Sequence, residues 1–283
     1  MPNNKMLAGI AAAPLVAWML VLLGAPLVYT MFLSFMTRGE HGTVEYILTL
    51  ENYVRIFDPL FMGIITRSLG IAVITSISTL LVGYPFAFCL ARLGVRQKAV
   101  VLLLLLVPFI SSSLMRTRGW MLLLQTQGIV NRGLLSLGLI QEPLQLMFNN
   151  TAVLVVTVYM FLPFMTIPIF NSIDKLDWSL VQASRDLGAG SFSTFTKIIL
   201  PLTVPGIAAG LTLVFIPSTG IYFIADLIGG GRTMLYGNLI ANQLGSAMNR
   251  PFAAALAVVM ASIIVLFATA YLKISQHYAT LRK

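Results

Sequence analysis

The charged residues of this 283-residue chain fall into clusters that leave six long spans without any charge. These spans are residues 6–37, 68–91, 99–115, 143–173, 198–225 and 251–272. A helix crosses a bilayer with ~20 mostly apolar residues. Only 10% of the residues are charged, against roughly 25% in a soluble domain. The pattern predicts an all-α polytopic membrane protein with six transmembrane helices.

The predicted crossings lie at about 8–36, 68–92, 98–116, 151–171, 199–226 and 251–273. No Gly-, Ser- or Pro-rich linker separates two halves, so residues 1–283 are predicted to form a single transmembrane domain. A polar loop at about 172–198 joins the fourth and fifth crossings.

The basic residues indicate the orientation of the chain. If the N-terminus lies in the cytoplasm, all six lysines fall on the cytoplasmic side, where the net charge is +7 against +2 outside. Cytoplasmic loops carry an excess of Lys and Arg. We therefore expect a multi-pass protein of the bacterial cytoplasmic membrane with both termini in the cytoplasm.

Several classes of function are disfavoured by composition. The formal charge of +9 is spread over helix ends without the basic stripe that grips nucleic acid. Cys89 is the single cysteine, and the two histidines, His41 and His277, are far apart in sequence. We expect no metal site, no catalytic residues and no nucleic-acid partner.

The loop at 172–198 has the sequence signals of two short helices. Asp177 is placed to cap a helix that begins at Trp178, and Gly188 fits the position just past its end, where a left-handed backbone is needed. Ser191 is placed to cap a second helix that leads to Pro201 at the entry of the next crossing. In the first helix an apolar stripe recurs at the spacing of one helical face, formed by Leu180, Ala183 and Leu187.

The spacing in this loop resembles the cytoplasmic loop of ABC importer permeases, in which Glu-Ala-Ala, three residues, Gly and nine further residues precede Ile-x-Leu-Pro. The matching positions are Ala183, Gly188, Ile198, Leu200 and Pro201. The sequence departs at Gln182, where Glu is expected, and at Ser184, where Ala is expected. Gln182 retains hydrogen-bonding capacity but cannot form the ion pair of a Glu.

The resemblance implies the type I ABC importer permease (MetI-like) fold and a loop that docks on an ATPase. The residues assigned to this coupling are Gln182, Ala183, Ser184, Arg185, Asp186, Gly188, Ile198, Leu200 and Pro201. The chain has no Gly-x-x-x-x-Gly-Lys-Ser/Thr sequence, so ATP and Mg are expected to be used by the partner ATPase and no cofactor by this chain. The other implied partners are a second homologous permease, two ATPase subunits in all, an extracytoplasmic binding protein and membrane lipid.

Longer stretches resemble the spermidine/putrescine permeases within this superfamily. These are Glu51-Asn52-Tyr53, Asp58-Pro59-Leu60, the run from Gly83 to Phe88, the run from Leu162 to Met165, the run from Ser184 to Ala189 and the run from Phe223 to Gly230. The resemblance implies a permease that forms the translocation pathway of an ATP-driven polyamine importer, and that is not itself an enzyme.

Polyamine chemistry indicates candidate pathway residues. An elongated polycation requires carboxylates and aromatic faces. Asp226 ends an apolar crossing, with Tyr222 and Phe223 on the same helical face, and Trp120 and Tyr159 are further candidates. An ionisable residue at membrane depth suggests function. Equally, Asp226 fits the outer interface, solvated or paired with Arg232.

Two other functions remain open from the sequence. The first is an ABC permease for a different solute, such as another cation or a phosphonate. The second is a secondary transporter driven by an ion gradient, which usually carries ionisable residues in mid-crossing. Here the predicted crossings have no such residue in their middle, which favours the ABC permease.

Overall fold

A computed structural model describes residues 4–231 and 234–280 of the chain, and these are mostly helical. Helices dominate because a chain in lipid must satisfy its backbone N–H and C=O groups internally. The long helices are α1 (Asn4–Leu33), α3 (Pro59–Ala91), α7 (Asn150–Asp174), α10 (Leu200–Gly220) and α13 (Arg250–Thr280).

Shorter elements connect the long helices. They are a hairpin of β1 (Thr37–Arg38) and β2 (Val44–Glu45), and the helices α2 (Glu51–Ile56), α4 (Val95–Leu106), α5 (Ser113–Leu124), α6 (Ile129–Ser136), α8 (Trp178–Asp186), α9 (Ser191–Thr194), α11 (Phe223–Gly229) and α12 (Tyr236–Leu244). By its contacts the chain divides into two compact units, Met1–Met62 with Leu239–Ile263, and Gly63–Asn238 with Ile264–Lys283.

In the first unit, the connection after α1 is fixed by hydrogen bonds. The buried Asn52 side chain donates to the carbonyl oxygens of Ser34 and Met36 at 3.0 and 2.8 Å. The Arg55 guanidinium lies 4.7 Å from the centre of the Phe252 ring. The segment between α1 and α3 is thus an ordered hairpin and short helix.

In the second unit, α7 is central and packs along α10. A Cβ on Gly206 of α10 would lie 2.6 Å from the carbonyl oxygen of Pro168 in α7, and one on Gly210 would lie 2.7 Å from Met165 Sδ. Small residues allow helix backbones to approach closely in membranes. The buried core of this unit includes Ala87, Leu90, Met165, Ile169, Ile173 and Val214.

Five helices in the described residues are long and apolar enough to cross a membrane, and six if one bent pair counts as a single span. The bent pair falls in the third predicted crossing, 98–116. There α4 continues as a 3-10 turn to Ile110, and the helical segment from Ser113 leaves at 94°. Pro108 lies in this turn and lacks the N–H of a regular helix.

Two other predicted crossings have different bounds from the helices. The second begins earlier than predicted, since α3 starts at Pro59. The fifth was predicted as 199–226, but α10 ends at Gly220 and Asp226 belongs to the separate short helix α11. Ile221 lies between α10 and α11 and has an extended backbone with ψ 114°. A helix cannot continue through a residue in this conformation.

Candidate functional site

Helix α8 begins at the predicted residue. The Asp177 carboxylate accepts a hydrogen bond from the Ser179 N–H at 3.0 Å and caps the first turn. Hydrogen bonds from the Ser179 side chain and from its N–H hold the pKa of Asp177 below its usual value. The cap fixes where α8 leaves the end of α7.

Helix α8 also ends as predicted, at a glycine with positive φ. Gly188 has φ +83°, and its N–H donates to the Arg185 carbonyl at 2.9 Å. The Ala189 N–H donates to the Ser184 carbonyl at 3.0 Å. These two bonds form a Schellman motif, for which Gly is the favoured residue.

The buried face of α8 differs from its apolar stripe. Val181 and Ser184 are buried, and the Ser184 hydroxyl lies 3.0 Å from that of Thr194 in α9. Leu180 and Ala183 are exposed, and Leu187 keeps 89% of its surface. The stripe therefore faces solvent rather than the rest of its unit. Ser184 is one of the predicted coupling residues, but it faces inward. Its contact with Thr194 holds α8 against α9.

The segment after α8 does not have the predicted form. Ser191 does not cap a helix; Gly190 takes the N-cap position with no side-chain bond. From Ser191 the chain is continuously helical to Gly220, through α9, a π-helical turn at Phe195–Ile199 and α10. Pro201 lies in the first turn of α10, as predicted, but no break separates α10 from the helical segment before it. The turn just before Pro201 is π-helical, with the Leu200 N–H bonded to the Phe195 carbonyl, and so differs from the regular helix that a proline ring disrupts.

The remaining predicted coupling residues lie along these elements. Gln182, Arg185 and Asp186 are exposed on α8, whereas Ile198, Leu200 and Pro201 are half-buried in the long helix. The large side chain of Phe192, which the sequence did not single out, is 81% exposed.

The end of α3 and the start of α4 lie next to α8. The Arg92 guanidinium stacks over Phe88, 4.4 Å from its ring centre, and lies 5.9 Å from that of Trp178. Lys98 forms an ion pair with Asp174. The loops at 92–98 and 174–178 therefore lie at the same end of this unit, as the charge pattern requires. A groove of about 340 Å³ opens between α3 and α8.

The second candidate place is α11, which carries Asp226. Its carboxylate accepts a hydrogen bond from the Asn238 amide at 2.5 Å, and the same amide donates to the Tyr222 carbonyl at 3.0 Å. Asp226 is exposed rather than buried. The predicted alternative partner, Arg232, lies outside the described residues.

Asp226, Tyr222 and Phe223 share one face, as the helical spacing predicts, and line a groove of about 380 Å³. The opposite wall is α5, with Leu114, Met115 and Arg118. Sequence reasoning missed Arg118 and Asn238 because their proximity to Asp226 arises only when α5, α11 and α12 come together.

A second, aromatic cavity of about 410 Å³ shares Tyr222 and Phe223 with this groove. Its wall includes Phe109, Phe161 and Phe164. At its edge the Arg116 side chain donates to the carbonyl oxygens of Pro108 and Ser111, each at 2.8 Å. Arg116 thereby bridges the break between α4 and α5.

Trp120 and Tyr159 line neither of these two cavities. Their rings pack against each other, with centres 5.3 Å apart, beside a buried cluster that includes Val153 and Ile224. The structure therefore brings Asp226, Tyr222 and Phe223 together, whereas Trp120 and Tyr159 pack against the same buried cluster as Phe223 without lining the groove. Throughout 4–231 and 234–280, no three His, Cys, Asp or Glu side chains are grouped to hold a metal.

Comparison with known proteins agrees with this architecture. Residues 59–278 match the family described as binding-protein-dependent transport system inner membrane component. The chain is 39% identical over 276 residues to the spermidine/putrescine transport system permease protein PotB of Salmonella typhimurium LT2, covering 98% of this chain and 96% of that protein. The protein of the same name in Escherichia coli K12 is 40% identical, over 93% of this chain and 95% of its own length.

Solved structures show the same fold at low sequence identity. A chain of a bacterial ABC transporter involved in the import of the acidic polysaccharide alginate superposes with a TM-score of 0.78 at 16% identity, over 97% of this chain and 96% of that one. A chain of the MetNI methionine ABC transporter gives 0.56 at 17% identity, over 78% and 99%.

These matches, the apolar helices and the helical hairpin at 178–194 confirm the predicted permease fold. The chain belongs to the family of binding-protein-dependent transport system inner membrane components, the permease subunits of ABC importers.

Proposed function

We infer that this chain is a transmembrane permease subunit of an ATP-driven ABC importer for polyamines, with spermidine and putrescine as substrates. The observation that carries this inference is its similarity, over nearly its whole length, to spermidine/putrescine permeases. The chain supplies the pathway and no chemistry of its own, so ATP and Mg are used by a separate ATPase.

The importer is an assembly. This chain pairs with a second, homologous permease, two ATPase subunits bind at the cytoplasmic side, and an extracytoplasmic polyamine-binding protein delivers the substrate. Both termini lie in the cytoplasm, which puts the α8–α9 hairpin (residues 178–194) on the ATPase side. The pairing of Lys98 with Asp174 supports this, since both belong to loops that the charge pattern places inside.

Coupling runs through that hairpin. Closure of the ATPases on ATP moves α8, and α8 moves the bundle through the buried Ser184–Thr194 contact and the continuous helix from Ser191 to Gly220. Two discrete states, open to either side, alternate around the pathway. The exposed Leu187 and Phe192 provide apolar contact area for the partner.

The Asp226 groove is a transient resting place for the cation. An ammonium group pairs with the Asp226 carboxylate, and the methylene chain lies along Tyr222 and Phe223. Arg118 on the opposite wall keeps this attraction weak, which suits a pathway that must also release its substrate.

ATPase activity of the assembled complex in lipid, with the binding protein present, tests this proposal. Spermidine or putrescine is expected to stimulate hydrolysis, and bulky replacements of Gly188 or Ala183 to abolish the stimulation. Stimulation by a different solute alone would remove polyamines as the substrate, and absence of any ATPase partner would exclude the importer.

A further inference from the structure

The groove between the end of α3 and α8 has an unusual charge. It is lined by Ala91, Arg92, Trp178, Val181, Gln182 and Arg185. Two of these carry guanidinium groups, one carries a neutral amide and none carries a carboxylate. All three polar side chains are exposed to solvent.

The positive charges in the groove are not neutralised within the part of the chain that the structure describes. Arg92 is stacked on Phe88, and Arg185 lies one turn after Gln182 on the capped helix α8. Among the residues that the structure describes, Lys98 forms an ion pair with Asp174, which neutralises this lysine. Both arginines of the groove are without a carboxylate partner there.

Gln182 is central to this charge. A Glu at 182 would lie three residues before Arg185, the spacing at which opposite charges pair on a helix. With Gln the groove stays positive and gains an amide donor beside the guanidiniums. The groove therefore offers donors in a fork geometry that matches a carboxylate.

We propose that this groove binds a carboxylate side chain of the ATPase subunit, an Asp or Glu that Arg92, Arg185 and Gln182 hold by charge and hydrogen bonds. The inference rests on the proposed function, because it names the chemistry by which the ATPase is recognised. It makes this permease selective for an ATPase with an acidic contact at this point.

A protein partner fits the surroundings better than an anionic lipid headgroup does. A headgroup would satisfy the guanidiniums but leave Leu187 and Phe192 in water, at 89% and 81% exposure. A protein that covers the hairpin buries both of these side chains while its carboxylate enters the groove.

Binding of the purified ATPase to the permease pair in lipid nanodiscs tests the proposal. Arg185→Glu is expected to weaken binding about tenfold, and Gln182→Glu about threefold, because each adds a negative charge beside the partner's carboxylate. Lys197→Glu is the matched control: Lys197 is exposed in the π-helical turn at Phe195–Ile199 and does not line the groove, so binding should be unchanged. Polyamine-stimulated hydrolysis should follow binding in each variant.

A change in ATPase binding opposite to the expected one overturns the proposal. Tighter binding with Gln182→Glu would mean that the ATPase presents a cation. Loss of the Arg185→Glu effect in nanodiscs made only of neutral lipid would assign the groove to a lipid headgroup. Wild-type binding with no response to either variant would reject the groove alone, whereas no binding by the wild type would reject the proposed function as well.

Discussion

The α8–α9 hairpin and the Asp226 groove both interrupt the apolar helices, but they are built differently. The hairpin is fixed by bonds between near neighbours in sequence, such as Asp177 with Ser179 and Gly188 with Arg185. The groove is lined by α5 and by the chain around α11, with Arg118 on the wall opposite Asp226. Asn238 of α12, also distant in sequence, donates a hydrogen bond to Asp226. The proposed ATPase-docking hairpin is thus built locally, whereas the surroundings of Asp226 are built from segments far apart in sequence.

The largest effect is expected at Gly188, because its backbone has a positive φ that residues with a side chain rarely adopt. Ala at 188 meets no neighbour within 4 Å but is strained at φ +83°, at a cost of roughly 1–2 kcal/mol. We expect about a tenfold loss of stimulated ATPase activity. Gly190→Ala is the control for the added methyl group, because its surroundings are equally open and its φ is −67°, so that only the smaller cost of Ala at an N-cap is expected. Equal effects of both substitutions would show that the backbone conformation is not the cause.

Function of the Asp226 groove is expected to depend on the charge of its side chains rather than on a particular backbone conformation. Asp226→Asn retains a side chain that bonds Asn238 but loses the attraction for an ammonium group, so we expect polyamine uptake to fall about fivefold. Glu142→Gln removes an exposed acid elsewhere and should leave uptake unchanged. Uptake and coupled ATPase activity that both survive Asp226→Asn would remove Asp226 from the pathway.

The contact between α8 and α9 gives a smaller effect. Ser184→Ala leaves the buried Thr194 hydroxyl without its partner and should lower the free energy of unfolding by about 1 kcal/mol. Thr194→Val in the same background should add little, since the hydroxyl it removes is already unpaired. Thermal unfolding of the two single variants and the double variant measures the coupling, and additive losses would contradict a direct bond.

The smallest effect concerns the Asp177 cap. Because the pKa of Asp177 is lowered in the folded state, its stabilisation of α8 is present above the ordinary pKa of 3.8 and is lost as the pH falls through the folded-state value. Amide hydrogen exchange in the first turn of α8, corrected for intrinsic rate, should therefore be constant from pH 7 to 5. Protection that fades in that range would mean that another group titrates. Asp177→Ala should be unprotected throughout.

The sequence predicted the hairpin better than the groove for a physical reason. The cap at Asp177 and the turn at Gly188 depend on backbone conformation and on bonds within a few residues, which residue types alone reveal. The cap at Ser191 was wrongly predicted, and the expected break before α10 is absent because a π-turn carries one helix from Ser191 to Gly220. The sequence analysis also failed to predict the break at Ser111 and the separate helix α11, because both begin within apolar runs that contain no charged residue.

By itself, the sequence determined the membrane-spanning fold, the family and the position of the α8–α9 hairpin, because hydropathy, charge and turn residues act locally along the chain. Only the tertiary structure decided which side of α8 faces outward, that Ser184 points inward, that Arg118 shares a groove with Asp226, and that Asn238 donates a hydrogen bond to it. It alone also brought Arg92 to α8 and made the groove there positive. Which residues from different helices become neighbours depends on how those helices pack. The spacing of residues along a single helix does not reveal that packing.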